Sequence, residues 1–413
     1  MTTIQESKAT IPFIKGDGIG PEVMAAAQEV LNHAVQTAYC GDKGLNWLEV
    51  KAGKSAYDTT GEWLPAETLA ALKRHKVSLK GPLTTPVGGG IRSLNVFLRQ
   101  ELDLYVCLRQ ARWFEGLPSP HRNPQGIDIT IFRENTEDIY IGIEYQAGTP
   151  ERRRWLESFR QSQPADYAKV PNPEECGIGI KPISRLGSQR LVKAAIQWAL
   201  DNHKQRLTLA HKGNIMKFTE GAFRTWGYEL AESEFKEETF TQRQLHDIGS
   251  SQNQDSAKTA KQQALSEGKL WVDDVIADVV FEQLITNPQQ FDVIATTNLN
   301  GDYISDAAAA LAGGVGISPG ANINYETGIA IFEANHGSAE ELAGKGVANP
   351  SSLILSSEMM LRFLDWHEAA DLVRQGIAEA IRARKVTFDL AKQIEGAQAL
   401  GTQEFAQVVI DFI

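Results

Sequence analysis

The residues best suited to chemistry fall into a basic group, an acidic group and a few single side chains. The stretch KGPLTTPVGGGIRSLNVFLR at 80 to 99 sets Thr84, Thr85 and three consecutive glycines ahead of a helix carrying Ser93, Asn95 and Arg99. Hydroxyls and backbone N–H groups at a helix start favour a carboxylate or a phosphate. Asn95 and Arg99 lie four residues apart, so they share a helical face. Arg109 closes the apolar run LDLYVCLR, and Arg133 closes IDITIFR. A charge at the carboxyl end of a buried strand sits at the crevice where α/β sheets bind ligands. Guanidiniums gathered there with small polar groups can grip a ligand bearing several carboxylates through forked hydrogen bonds. The competing reading pairs each arginine with a nearby acid, Glu101 or Glu134.

The acidic group is NLNGDYISD, where Asp302 and Asp306 have i, i+4 spacing on one helical face. Two such carboxylates repel, so a positive charge should offset them. A hard divalent ion, Mg²⁺ or Mn²⁺, prefers these oxygen ligands; the alternative is two acids favoured by a helix dipole. Asp278, in DVIADVV, is a candidate further ligand. Tyr140 after RENTEDI and Lys212 after RLTLAH are candidates for acid–base work or simply structural. His336 in FEANHGSAEELAG has no second His or Cys at metal spacing, which leaves a cofactor contact or a core histidine. GDGIGP at 16 to 21 sits between a strand and a helix, but its G-x-G-x-G spacing is not the dinucleotide fingerprint. It reads as a tight turn packing a helix on its strand.

Short apolar runs ending in glycine turns and followed by helical patterns must position these groups. ATIPFI, IDITIF, RLTLA and FDVIATT are the runs, and the alternation indicates an α/β architecture with a largely parallel sheet. Pro21 suits the first turn of a helix, and Ser351 or Ser352 is a candidate cap before LILSSEMMLRFL. Residues 146 to 176 read as an excursion from the core, and the polar stretch 236 to 270 as a surface insertion. At 413 residues the chain is long enough for several folding units. Its net charge of −11, without a basic block, argues against nucleic acid or an anionic membrane as partner. No apolar stretch is long enough to span a bilayer. The opening MTTIQESKAT lacks a signal-peptide pattern. Three cysteines without metal spacing suit a reducing, cytoplasmic setting.

Taken together, GDGIGPEV, KGPLTTPVGGGIRSLNVFLRQELDLYVCLR, FRENTEDIYIGIE, HKGNIMKFTEGAF, NLNGDYISD, HGSAEELAG and NPSSLILSSEMML make the chain resemble the isocitrate/isopropylmalate dehydrogenase family, on its bacterial isocitrate branch. The resemblance implies that family's α/β fold, which is not a Rossmann domain. It implies a large domain (1–104 plus 313–413), a small domain (105–137 plus 185–312) and a clasp-like excursion (138–184) between subunits. It places a tricarboxylate pocket on Ser93, Asn95, Arg99, Arg109 and Arg133 and an acid–base pair on Tyr140 and Lys212. Metal ligands fall on Asp278, Asp302 and Asp306, and Lys212 and Asp278 come from the neighbouring subunit of a homodimer. The cofactor site falls on Thr84, Glu333, His336, Gly337, Ser338, Ala339, Glu341, Leu342 and Asn349. Sister enzymes act on isopropylmalate, tartrate or homoisocitrate; Ser93 and Asn95 favour isocitrate. A non-catalytic tricarboxylate sensor is the reading from another class. NADP-using members carry Lys-Tyr where this chain has Glu341 and Leu342, and Tyr and Arg where it has Phe388 and Lys392. Glu341 can instead accept from the ribose hydroxyls of NAD. One charge pair at ~4 Å is worth about 1 kcal/mol in water and about 4 at an effective dielectric near 20. The expectation is therefore NAD, preferred roughly 10- to 1,000-fold.

Overall fold

The structure, a computed structural model, describes residues 8–84 and 93–413. Thr85, the three glycines at 88 to 90 and the rest of that loop lie outside the described residues. The strands, in chain order, are β1 (Lys8–Ile14), β2 (Gly44–Glu49), β3 (Val77–Lys80), β4 (Val106–Arg112), β5 (Asp128–Glu134), β6 (Glu144–Tyr145), β7 (Ile178–Gly179), β8 (Arg206–His211), β9 (Thr239–Thr241), β10 (Leu270–Ile276), β11 (Val293–Thr296), β12 (Pro319–Asn324), β13 (Ile329–Ala334), β14 (Lys385–Thr387) and β15 (Gln398–Leu400). Eleven of them form one sheet, ordered β2-β1-β3-β13-β12-β4-β5-β11-β8-β10-β9. Both wings are parallel, as expected for strands alternating with helices. The centre is antiparallel, from β13 through β12 and β4 to β5.

Helices cover the sheet according to its alternation. Ile129 and Ile131 of β5 pack with Ile294, Ile304 and Ala308 under the helix Asn298–Leu311, while Phe132 turns to the other face and joins the main core. That main core runs from Ile11 and Val30 through Leu108 and Leu207 to Phe405. GDGIGP is the expected turn: Gly16 and Gly18 have φ of +86° and +60°. A Cβ on Gly18 would meet the Ser338 backbone oxygen at 2.0 Å, so the glycine permits contact with the loop after β13. Pro21 lies in the first turn of the helix Gly20–Tyr39.

Three expectations need correction. Residues 236 to 270 are not a surface insertion. They form edge strand β9 and the helices Gln242–Ser251 and Gln254–Ser266, then return to β10 beside β9. The segment reads as polar because an edge unit buries little, chiefly Ala257 and Ala264 of these two helices. Neither Ser351 nor Ser352 caps its helix; both are buried inside Ser351–Phe363, and Asn349 Oδ1 accepts from the Ser351 N–H at 2.9 Å. Arg109 lies within β4 rather than at its carboxyl end, because β4 belongs to the antiparallel centre, where the strand-end rule for parallel sheets does not apply. The 146 to 176 excursion is found, with β6 and β7 pairing beside the helix Pro150–Ser162.

Candidate active site

Register builds the basic side of the site. Ile131 lies opposite Arg109, Arg109 opposite Gly320, Gly320 opposite Glu333 and Glu333 opposite Lys80, a single row across β5, β4, β12, β13 and β3. Directly opposed residues share a face, so the row projects its charges to one side. Gly320 leaves room for the neighbouring guanidinium, since a Cβ there would meet Arg109 Nη1 at 2.0 Å. Glu333 is the hub. Its carboxylate lies 2.7 Å from Lys80 Nζ, 3.4 Å from Arg99 Nη2 and 3.6 Å from Arg109 Nη2, and it accepts from Asn322 Nδ2 at 2.7 Å. Burial alone would raise the Glu333 carboxyl, but Lys80, Arg99 and Arg109 outweigh it and hold the group well below the usual carboxylate range. One acid thus faces three cations. Arg99 Nε, Arg109 Nε and Nη1, and Asn95 Oδ1 are buried without a hydrogen-bond partner among the described residues. Orphaned buried donors are costly unless a ligand satisfies them.

Neither acid first set against the arginines holds them. Glu101 pairs with Lys73, and Glu134 accepts from Thr136 and from the Glu137 N–H. Ser93 is the N-terminal boundary of the helix Leu94–Glu101, and its hydroxyl makes no capping bond. Asn95 and Arg99 share that helix's face as expected.

The acidic side grows from the helix Asn298–Leu311. Asp302 is its fifth residue, past the first turn, which weakens the dipole explanation. The positive charge expected beside the pair is Arg133: its Nη1 bonds Asp302, and its Nε donates to Asn298 Oδ1 at 2.9 Å. Arg133 is 3% exposed and Asp302 42%, so a buried cation holds an open carboxylate. Tyr140 donates to the other Asp302 oxygen at 2.5 Å, and Arg133 lies 4.9 Å from the centre of its ring. Burial, then the bond to Asp302, pushes the Tyr140 hydroxyl up to about 12. It stays protonated across the neutral range and can act as a proton donor. Asp306 is exposed and accepts from Asn335 Nδ2 at 3.4 Å.

The structure does not gather the expected metal set within one chain. No cluster of three potential ligands forms among the described residues. Asp278, 65% exposed in the first turn of Ala277–Thr286, bonds Lys212 Nζ at 2.5 Å instead. Lys212 holds the Asp278 carboxyl below its ordinary value. Two carboxylates four residues apart, both open to solvent, suit a hard divalent ion, but one chain leaves that ion short of ligands.

The cofactor-side residues line the loop after β13. Thr84 Oγ1 donates to Glu340 at 2.8 Å and lies 3.0 Å from Ser338 Oγ, while the Thr84 N–H donates to Asp17 at 2.9 Å. His336 Nδ1 lies 2.9 Å from the Gly337 carbonyl; its Nε2 is a further buried orphan, and burial lowers its pKa. Ala339 adopts φ +38°, and Asn349 donates to Asp389 at 2.9 Å. Glu333 belongs to the arginine row as much as to this loop.

Over residues 10–409 the chain matches the family described as isocitrate/isopropylmalate dehydrogenase. The chain belongs to this family. It is 54% identical over 400 residues to the isocitrate dehydrogenase [NADP] of Staphylococcus aureus, covering 97% of this chain and 94% of that one. It is 50% identical over 406 residues to the isocitrate dehydrogenase [NADP] of Streptococcus mutans, covering 98% and 96%. The crystal structure of isocitrate dehydrogenase from Methylococcus capsulatus superposes with a TM-score of 0.76 at 34% identity, covering 98% of this chain and 99% of that one. The α/β fold of the family is therefore present.

These names correct the expectation of NAD, since family members this similar are named for NADP. The physical weakness lay in Glu341. It is exposed, and an exposed charge pair is worth about 0–1 kcal/mol. That is too little to set a coenzyme preference alone. Sequence reasoning also missed Lys80. It ends the apolar strand VSLK, the signal that singled out Arg133.

Proposed function

We propose that the protein oxidises isocitrate to 2-oxoglutarate and CO₂ with reduction of NADP, as a metal-dependent cytoplasmic homodimer with shared sites. The observation that carries this reading is the arginine row. Buried guanidinium N–H groups of Arg99 and Arg109 lack partners among the described residues, and a polycarboxylate would satisfy them. Arg133 would add a third cation, and Ser93 and Asn95 would meet the carboxylate that sets isocitrate apart from its relatives. The NADP-specifying names of the relatives support the coenzyme; Thr84, His336, Gly337, Ser338, Ala339, Leu342 and Asn349 are proposed to hold it.

Asp302 and Asp306, with Asp278 from a second copy, would hold Mg²⁺ or Mn²⁺. Such an ion acidifies a neighbouring hydroxyl and stabilises negative charge on the same oxygen. Lys212, acting in its neutral form and relaying through Asp278, would take the C2 hydroxyl proton, and a bound nicotinamide coenzyme would supply the hydride acceptor. The β-carboxylate then departs as CO₂, and Tyr140, protonated at neutral pH, returns a proton to the carbon left behind. The row joins both proposed domains, since Lys80 and Glu333 lie in one and Arg109 in the other, already in contact across adjacent strands.

The test is a set of initial rates with isocitrate, homoisocitrate and isopropylmalate, each with NADP and NAD, with and without Mg²⁺ or Mn²⁺. Isocitrate with NADP and metal is expected to be fastest. A faster sister substrate would reassign the pocket, and faster NAD would return the coenzyme choice to Glu341. Substrate-induced thermal stabilisation without coenzyme reduction would favour a sensor.

A further inference from the structure

A second ionic cluster lies behind the groups named so far. Asp138 and Glu220 are fully buried carboxylates, and Lys181 Nζ lies 2.8 Å from each. Two buried acids this close require a shared cation. Each acid also holds backbone of the proposed catalytic apparatus. Glu220 accepts the Lys212 N–H at 2.9 Å, Asn300 Nδ2 at 2.7 Å and Thr297 Oγ1 at 2.8 Å. Asp138 accepts the Leu299 N–H at 3.0 Å and the Ile139 N–H at 2.7 Å. It therefore supplies the start of Asn298–Leu311 with a cap that Thr297 does not make, and it fixes the backbone one residue before Tyr140. Asp138 holds φ +69°, a conformation a non-glycine residue keeps only when its surroundings impose it.

We infer that Lys181 is a positioning residue: by bridging Asp138 and Glu220 it fixes Tyr140, the Asp302–Asp306 helix and Lys212 relative to one another. The inference rests on the proposed dehydrogenase reaction and deepens it. Lys181 comes from the far end of the 138 to 184 excursion, and the Asp138 N–H donates to the Pro182 carbonyl at 3.0 Å, so the two ends of that excursion meet at this point. In a dimer with shared sites, Tyr140 and Asp302 would serve one site and Lys212 the other. The same ammonium would then fasten parts of two active sites. The arginine row is built on other strands and does not depend on this cluster.

The expected signature is a split between kcat and KM. Misplacing reacting groups by about 1 Å can cost on the order of 10²-fold. Lys181→Met should lower kcat per folded subunit by roughly 10- to 100-fold, with KM for isocitrate within about threefold because Arg99 and Arg109, which make no contact with the cluster, still hold the substrate. Lys181→Arg should restore most of the loss. Thr297→Val removes one hydrogen bond to Glu220 without stranding a charge, and should still lower kcat by about threefold to tenfold. A purely structural cluster would lower the melting temperature and leave kcat unchanged. Wild-type kcat in folded Lys181→Met overturns the inference; should that variant fail to fold, wild-type kcat in Thr297→Val does so. Full-chain wild type is assayed alongside. If it turns over no 2-hydroxy acid, the proposed function fails, whereas equal rates in wild type and variants refute only the positioning role.

Discussion

The basic and acidic sides of the crevice are built to different standards. Lys80, Arg109 and Glu333 sit in strand register at the centre of the sheet, nearly excluded from water, with donors left over. Asp278, Asp302 and Asp306 sit on helices, open to solvent, and two of the three are neutralised by the chain's own Lys212 and Arg133. On the proposed reading the first side is a receptor for carboxylates. The second is a set of parts that a divalent ion and a second copy would complete. Such an arrangement would let the protein bind its acid before transforming it.

Removing the metal should widen that contrast most. A chelator is expected to lower turnover by on the order of 10³-fold or more while isocitrate still raises the melting temperature; loss of both together would mean the arginines do not act alone. Next comes Arg109→Met, which strips the row of a buried charge. Truncating one partner of such a contact costs about 2–5 kcal/mol, so KM for isocitrate should rise roughly 30- to 4,000-fold. A change confined to kcat would move Arg109 to the chemical side. The acidic side is sharpened by mixing inactive Tyr140→Phe and Lys212→Met chains. Random re-pairing makes half the dimers mixed, each with one intact site of two, so about a quarter of wild-type activity should return. No recovery would show that each site uses both residues from a single chain.

The smallest effect concerns pH. Glu333 is held below its ordinary value, so its contribution to stability is full at neutral pH and fades as pH falls below about 4.5. Glu333→Gln, which strands three cations, should melt roughly 3–6 °C lower at pH 7, with the gap narrowing in acid. A gap independent of pH would show that the carboxylate's charge is not what holds the row.

What the sequence disclosed follows the same division. Arg99, Arg133, Tyr140 and Asp302 are legible because each sits in a long local pattern that fixes its strand or helix. Lys80 is not, nor is its pairing with Glu333, since that partnership spans more than 250 residues and arises only when β13 pairs with β3. Asp138, Lys181 and Glu220 escape for the same reason. Nothing local marks a buried acid that finds its cation about 40 residues away. The alternation of strands and helices predicts the parallel wings, but not the antiparallel centre that puts Arg109 inside β4. Amphipathic edge helices with little buried surface look like loops when read by polarity alone, which is why 236 to 270 misleads.

The central claim, that the arginine row recognises a polycarboxylate before any metal arrives, is tested most directly by titrating isocitrate into metal-free protein in a calorimeter. Saturable binding that weakens with added salt and disappears in Arg109→Met is the predicted result. Absence of binding by wild type, or unaltered binding by the variant, would contradict it.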